Sequence, residues 1–228
     1  MSRPPVMRGR FITFEGGEGT GKSTQAALLA ERLRRSAIEV VLTREPGGSV
    51  GAEIIRHVLL SGAAAPFGPV AEALLFAAAR ADHVENTIRP ALERGQWVVC
   101  DRFLDSTRAY QGALGKVDAR IIRALERITV GDTAPDLTLI LDLPTRVGLE
   151  RASARRGAGK ADRFEDEAAD FHRKLRKAFK DIAKANPERC VVIDARGGKE
   201  AIAEQVWNVV AARLAPTAAP ALLERAEP

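Results

Sequence analysis

The sequence predicts an α/β fold on a parallel sheet, and three observations carry the prediction. Short apolar runs rich in Val, Ile and Leu alternate with long amphipathic stretches along the chain. The apolar runs are nearly continuous rather than alternating with polar residues, which marks strands covered on both faces, as in parallel sheets flanked by helices. A glycine-rich loop joins the first apolar run to the first helical stretch, the strand–loop–helix order of a phosphate-binding unit. Right-handed crossovers between the strands follow.

The elements can be justified in order. Phe11–Phe14 opens the sheet, and Lys22–Arg35 reads as a helix because Ala26, Leu29, Ala30 and Leu33 recur at helical spacing. Val40–Thr43 is the second buried strand, followed by amphipathic helices at Val50–Ser61 and Val70–Arg94. The run Trp97–Cys100 gives the third strand, and Ala119–Thr129 the next helix. Leu137–Leu143 is the fourth strand, with helices at Arg146–Arg155 and Glu165–Ala185 after it. Cys190–Asp194 closes the sheet and Glu200–Leu214 is the last helix. Residues 1–10 form an N-terminal extension outside this alternation, and the Pro/Ala-rich stretch 215–228 reads as a disordered tail. Between them, residues 11–214 form one domain. The glycine- and charge-rich segment Arg155–Arg163 cannot bury much, so a mobile lid is expected over about residues 151–163.

Composition narrows the class. A chain of 228 residues with 46% hydrophobic content can bury a sizeable core. No apolar run approaches the length of a bilayer span, and Met1–Arg10 lacks the hydrophobic segment of a secretory signal, so a soluble cytoplasmic protein without a membrane partner is expected. Cys100 and Cys190 lie in strand-like runs, where thiols act as small buried hydrophobes, and no disulfide or metal framework is implied. The net charge of +5 comes from basic residues interleaved with acidic ones, which describes solvated helix faces rather than a nucleic-acid track. A subset of the arginines is instead expected to converge on small-molecule phosphates.

The loop itself is Gly16-Gly17-Glu18-Gly19-Thr20-Gly21-Lys22-Ser23-Thr24. Its glycines let the backbone N–H groups curl around a phosphate chain, and the following helix adds its positive end. Lys22 can reach the β- and γ-phosphate oxygens, and the Ser23 hydroxyl can complete the coordination of Mg²⁺. A nucleoside triphosphate is the expected ligand, with Mg²⁺ as cofactor. The loop does not separate a kinase from a GTPase, motor or DNA-dependent ATPase. No Asn-Lys-x-Asp base-recognition run of a GTPase is present, and a motor would need more chain. Arginines at strand ends and in the lid suit a site that holds two phosphorylated substrates.

Five segments, in order, resemble the bacterial thymidylate kinase family. They are the loop Phe14–Thr24; Thr43-Arg44-Glu45-Pro46-Gly47-Gly48; Leu75–Arg80; Asp101-Arg102-Phe103 with Ser106–Gly112; and the Arg-rich lid. The resemblance covers about Phe11 to Leu214. It implies the nucleoside monophosphate kinase fold with a five-stranded parallel sheet, a homodimer built through helix faces, and phosphorylation of dTMP to dTDP by ATP. It also implies residue roles, and the residues bear on each.

Phe76 and Arg80 are four apart, on one helix face. Alone, such a pair reads as a core Phe beside a surface Arg; by resemblance Phe76 stacks on thymine and Arg80 donates to a base carbonyl. Asp101 and Arg102 follow a strand at the carboxyl edge, where open parallel sheets bind ligands. The resemblance gives Arg102 the acceptor monophosphate and places Asp101 near the metal; a structural salt bridge is the alternative. A carboxylate facing the triphosphate would be repelled, so Glu18 is expected to point toward the neighbouring substrate, where the family's acidic residue meets the sugar 3′-hydroxyl. Tyr110 matches the residue near the sugar 2′ carbon. Glu45, Pro46, Thr107 and Gln111 are further substrate-site candidates. The family divides by whether its catalytic arginine comes from the phosphate loop or the lid. With Gly19 in the loop and Arg151, Arg155, Arg156 and Arg163 around the lid, this chain resembles the lid-arginine type, with Arg155 and Arg156 the first candidates. A kinase for another monophosphate, a nucleic-acid-stimulated ATPase and an inert nucleotide-binding regulator are the alternative functions.

Overall fold

The computed structural model describes residues 8–156, 164 and 167–216. Five parallel strands, β1 (Phe11–Glu15), β2 (Val40–Arg44), β3 (Trp97–Asp101), β4 (Leu137–Asp142) and β5 (Cys190–Asp194), lie in the order β2-β3-β1-β4-β5. Strand β1 is central, and the order reverses beside it, which opens the crevice at the strands' carboxyl ends where such sheets take ligands. The expected α/β class and five-stranded parallel sheet are therefore found. Register sets the crevice: Phe14 pairs with Asp101 of β3, and Glu15 with Ile140 of β4.

Side chains alternate across the sheet with the two-residue period of a strand. Ile12, Phe14, Val99 and Leu139 pack with Leu29 and Leu33 of α1 (Lys22–Arg35) and Val206 and Val210 of α9 (Lys199–Leu214). Phe11, Val98 and Cys100 pack on the other face against Ile88, Leu92 and Phe103. Ile140 and Cys190 complete that face with Leu175 and Phe179 of α8 (Ala169–Ala185). Both cysteines are buried and unpaired.

Strand β2, expected to be buried, is half-exposed, with Leu42 41% exposed, because it is an edge of the sheet and has only β3 beside it. Four further departures concern the helices and the first residues. The single helix expected over Val70–Arg94 is α3 (Gly68–His83), a π-helical turn Val84–Ile88 and α4 (Arg89–Glu93). Pro90 has no N–H to continue the ladder, and the wider turn before it absorbs the loss. Leu104–Leu114, where no helix was expected, forms α5 (Leu104–Thr107) and a second π-helical turn over Arg108–Leu114. The helix expected from Glu165 begins at Ala169. Residues 9 and 10 of the expected extension are tied to the fold: Gly9 N donates to Leu92 O of α4 at 2.8 Å, and Arg10 O accepts from Val98 N of β3 at 2.8 Å. Helices α2 (Val50–Leu60), α6 (Ala119–Thr129) and α7 (Thr145–Arg156) match their expected positions within a residue. Residues 1–7 and 217–228 and most of the expected lid, 157–163, lie outside the described residues.

Candidate active site

The loop between β1 and α1 turns on glycines. Gly19 has φ +67°, and a Cβ there would stand 1.9 Å from the carbonyl oxygen of Gly148 in α7, so the loop lies backbone to backbone on that helix. Lys22 Nζ reaches back to Gly17 O at 2.7 Å, and Thr20 Oγ1 donates to the same oxygen at 3.0 Å. Burial, and then the neighbouring charge of Arg102, lower the Lys22 pKa to about 8. A lysine buried at the start of a helix, beside a glycine-rich loop of backbone N–H groups, suits an anion.

Ser23 Oγ donates to Asp101 Oδ2. The other oxygen, Asp101 Oδ1, is buried with no hydrogen-bond partner among the described residues. An orphaned carboxylate oxygen beside a hydroxyl suits a hard cation, and Mg²⁺ takes only a few protein oxygens when phosphates supply others. No group of three or more His, Cys, Asp or Glu side chains among the described residues offers another metal site.

Arg102 holds a left-handed backbone, φ +68°, directly after β3. Its N–H donates to Phe14 O at 2.9 Å, and the next turn is fixed by Glu15, which accepts from Phe103 N at 2.8 Å and from Ser106 N and Oγ at 3.1 and 2.7 Å. Burial, and then Asp105, raise the Glu15 pKa to about 7. So braced, the Arg102 guanidinium meets Glu18 Oε1 at 2.5 Å, and Tyr110 Oη donates to the same oxygen at 2.8 Å. Burial alone would raise the Glu18 pKa, but Arg102 and Lys22 hold it down to about 2. Glu18 thus points away from the loop's centre, toward Arg102 and Tyr110, as its charge required.

These groups line one cleft enclosing about 1070 Å³ including its open mouth. Of the residues singled out from sequence, Glu18, Gly19, Gly21, Lys22, Ser23 and Thr24 line its loop end. Asp101, Arg102, Tyr110 and Arg155 are there too, as are Glu45, Pro46, Phe76, Arg80, Thr107 and Gln111. Gly16, Gly17 and Thr20 are not in its wall; Gly17 and Thr20 face a small second cavity behind the loop. Arg151 donates to Ala195 O at 3.2 Å. The side chain of Arg156, with Lys160 and Arg163, lies outside the described residues.

At the far end, Phe76 packs on Phe164 with ring centroids 6.1 Å apart, and Phe164 meets the Tyr110 ring edge-on at 5.3 Å. Arg80 is buried; its Nε donates to Glu45 Oε2 at 2.8 Å and its Nη2 to Thr107 Oγ1 at 3.1 Å. Glu45 and Thr107 therefore reach the cleft mainly through the arginine they hold. Arg56, Leu60, Phe103, Ser106 and Phe164, not singled out as site residues from sequence, also line the cleft. Arg56 donates to Pro46 O at 2.6 Å, and its place about two turns into the helix that follows the Thr43–Gly48 segment was the available signal.

Among the described residues no single helix is long and apolar enough to cross a membrane; Val50–Leu60 with Ala65–Glu93 reaches that composition only as a pair bent by 81°.

The family described as thymidylate kinase matches residues 14–206. A thymidylate kinase of Bradyrhizobium sp. strain ORS 278 is 61% identical over 207 residues, covering 91% of this chain and 92% of its own. One from Nitrobacter winogradskyi is 62% identical over 200 residues, covering 88% and 87%. The crystal structure of thymidylate kinase from Ehrlichia chaffeensis superposes with a TM-score of 0.71 at 36% identity, covering 89% of this chain and 99% of that one. A match of this extent, on a fold whose cleft joins a phosphate loop to an aromatic pocket, means that the chain belongs to the thymidylate kinase family.

Proposed function

We propose that the chain transfers the γ-phosphoryl group of ATP to the phosphate of dTMP, giving dTDP and ADP, as its membership of the family entails. The observation that carries the reading of the site is the single cleft holding Lys22 and Ser23 at one end, Phe76 and Arg80 at the other, and Arg102 with them. ATP occupies the loop end with its β- and γ-phosphates on the loop N–H groups and Lys22, and thymine lies on Phe76 with a carbonyl toward Arg80. Glu18 and Tyr110, already hydrogen-bonded, form the floor for the deoxyribose.

No general base is needed, because the acceptor phosphate has a second pKa of about 6 and is mostly a dianion at neutral pH. The barrier is repulsion between two anionic substrates and the cost of aligning them in line. Arg102 holds the acceptor phosphate, and Lys22 holds the donor. Ser23 and Asp101 would hold Mg²⁺, which when bound neutralises phosphate charge. Arg155 is the described lid-helix arginine in the cleft and supplies charge to the moving phosphoryl group, the lid-arginine arrangement, since Gly19 leaves the loop none to offer. Arg156 is the second candidate for that role.

The protein acts as a homodimer. Val50, Ile54 and Val58 recur every four residues along α2 and stay exposed, with Phe67, Val70 and Leu74 beside them on and before α3. A contiguous apolar face of this kind on an otherwise charged surface is an interface.

The test is turnover of dTMP, dUMP, dCMP and AMP with ATP and Mg²⁺. dTMP is expected to have the highest kcat/KM of the panel. An enzyme that leaves dTMP unchanged and converts another acceptor would refute the reading.

A further inference from the structure

His83 is fully buried at the end of α3, three residues and so one helical turn beyond Arg80, on the same face. Its Nδ1 lies 3.0 Å from Glu45 Oε1, while Glu45 Oε2 takes Arg80 Nε at 2.8 Å. A carboxylate oxygen only accepts, so Nδ1 carries the proton and donates. On the other side of the ring, Nε2 is 2.8 Å from Thr43 Oγ1. The segment Thr43–Gly48 is shaped around this ring: Gly48 has φ +86°, and a Cβ there would stand 2.3 Å from Thr43 Oγ1 and 2.4 Å from His83 Nε2. Thr43, His83, Glu45 and Arg80 thus form one buried chain of hydrogen bonds ending at the cleft.

The chain decides which edge of Arg80 is offered. Its hydrogen bonds among the described residues run through Nε and Nη2, to Glu45 and Thr107, and none uses Nη1. With His83 holding Oε1, the Glu45 carboxylate stays side-on to Nε and cannot swing to cover Nη1. We propose that His83 is a positioning residue for base selection: through Glu45 it holds Arg80 so that Nη1 faces the base. This rests on the reading of Phe76 and Arg80 as the base site. The consequence is chemical. Thymine presents a carbonyl acceptor where cytosine presents an amino donor, so a fixed arginine N–H donates to the first and is opposed by the second.

The test compares dTMP with dCMP. In His83→Leu the dTMP KM should rise about tenfold and the preference for dTMP over dCMP fall about fivefold, while kcat for dTMP changes less than about threefold, the scale of one lost charge-assisted hydrogen bond. The ATP KM should hold. His83→Asn, which returns an N–H near the Nδ1 position, should recover most of the preference, and Thr43→Val should lower it in the same direction by less. If His83→Leu folds, as judged by its melting curve, and keeps the preference, or loses kcat equally for both acceptors, the proposal is overturned. If His83→Leu does not fold, the other two variants decide: a preference unchanged in Thr43→Val, or abolished in a folded His83→Asn, overturns it. Arg80→Met separates the two claims, because an unchanged preference in that variant refutes the base site itself rather than the part played by His83.

Discussion

Lys22, Glu18 and Arg102 meet where the two halves of the cleft join, and the energetics of the site turn on how they share charge. Glu18 and Arg102 satisfy each other at 2.5 Å, but Lys22, hydrogen-bonded to the Gly17 carbonyl, is buried beside a second cation, and the nearby Glu18, Asp101 and Glu15 carboxylates offset this only in part. Its pKa of about 8 in the ligand-free protein expresses that discomfort. A triphosphate beside Nζ favours the ammonium form and raises the pKa in the complex. Between the two values the complex holds more protons than the free protein, so ATP affinity should fall as pH rises through about 8 and beyond. Calorimetry at about pH 9, in buffers of different ionisation enthalpy, should register proton uptake on ATP binding, absent at about pH 6 and absent in Lys22→Met. Lys22 was legible in the sequence from the loop and Arg102 from its place after a strand, while Phe76 and Arg80 became legible only through the family resemblance, since their spacing alone reads as a core Phe beside a surface Arg. Arg56 and Phe164 were not, since they enter the cleft from elements whose facing depends on tertiary packing. Glu45 was legible as a site residue, but not that both its oxygens are engaged by Arg80 and His83.

At the scale of elements, the phosphate loop and α7 are locked by absent side chains. Gly19 has no room for a Cβ against Gly148 O, and a Cβ on Gly148 would stand 2.5 Å from Glu18 O. The same helix carries Arg155 to the cleft, so the glycine-rich loop and this helix share one backbone contact. Gly148→Ala must therefore push the loop or the helix, and backbone on both sides leaves no flexible side chain to yield. The expected result is a rise in ATP KM and a fall in kcat of about tenfold or more, with dTMP binding little changed and a lower melting temperature from overpacking. Ordinary ATP kinetics in a Gly148→Ala variant would show that the contact transmits nothing. The strands and most helices were readable because buried parallel strands and amphipathic helices each leave a period. The stretch Leu104–Leu114 leaves none: its π-helical turn breaks the 3.6-residue repeat, and Asp105, Ser106 and Thr107 point into the molecule to hold Arg189, Glu15 and Arg80.

For the molecule as a whole, the exposed apolar face on α2 and α3 is the feature that its own core does not explain. Val50 and Ile54 of α2 are 85% and 66% exposed, and Phe67, in the turn before α3, is 74% exposed, with α2 and α3 packed against each other. Those residues lie on the outward side of the layer whose inward residues, Arg56 of α2 and Phe76 and Arg80 of α3, line the end of the cleft far from the glycine-rich loop, the end proposed for the acceptor. Covering the outer face with a second copy would bury the apolar stripe and stiffen both helices at once, so association and acceptor binding should be coupled. Ile54→Glu places a charge in the middle of the stripe, where desolvation opposes association and leaves the monomer's own fold alone. Sedimentation equilibrium should find the wild-type chain dimeric and Ile54→Glu monomeric, with a rise in dTMP KM of several-fold and little change in ATP KM, because the phosphate loop hangs from β1 and α1 rather than from α2. A wild-type chain that sediments as a monomer at micromolar concentration would remove the interface, and a monomeric variant with ordinary dTMP kinetics would remove the coupling.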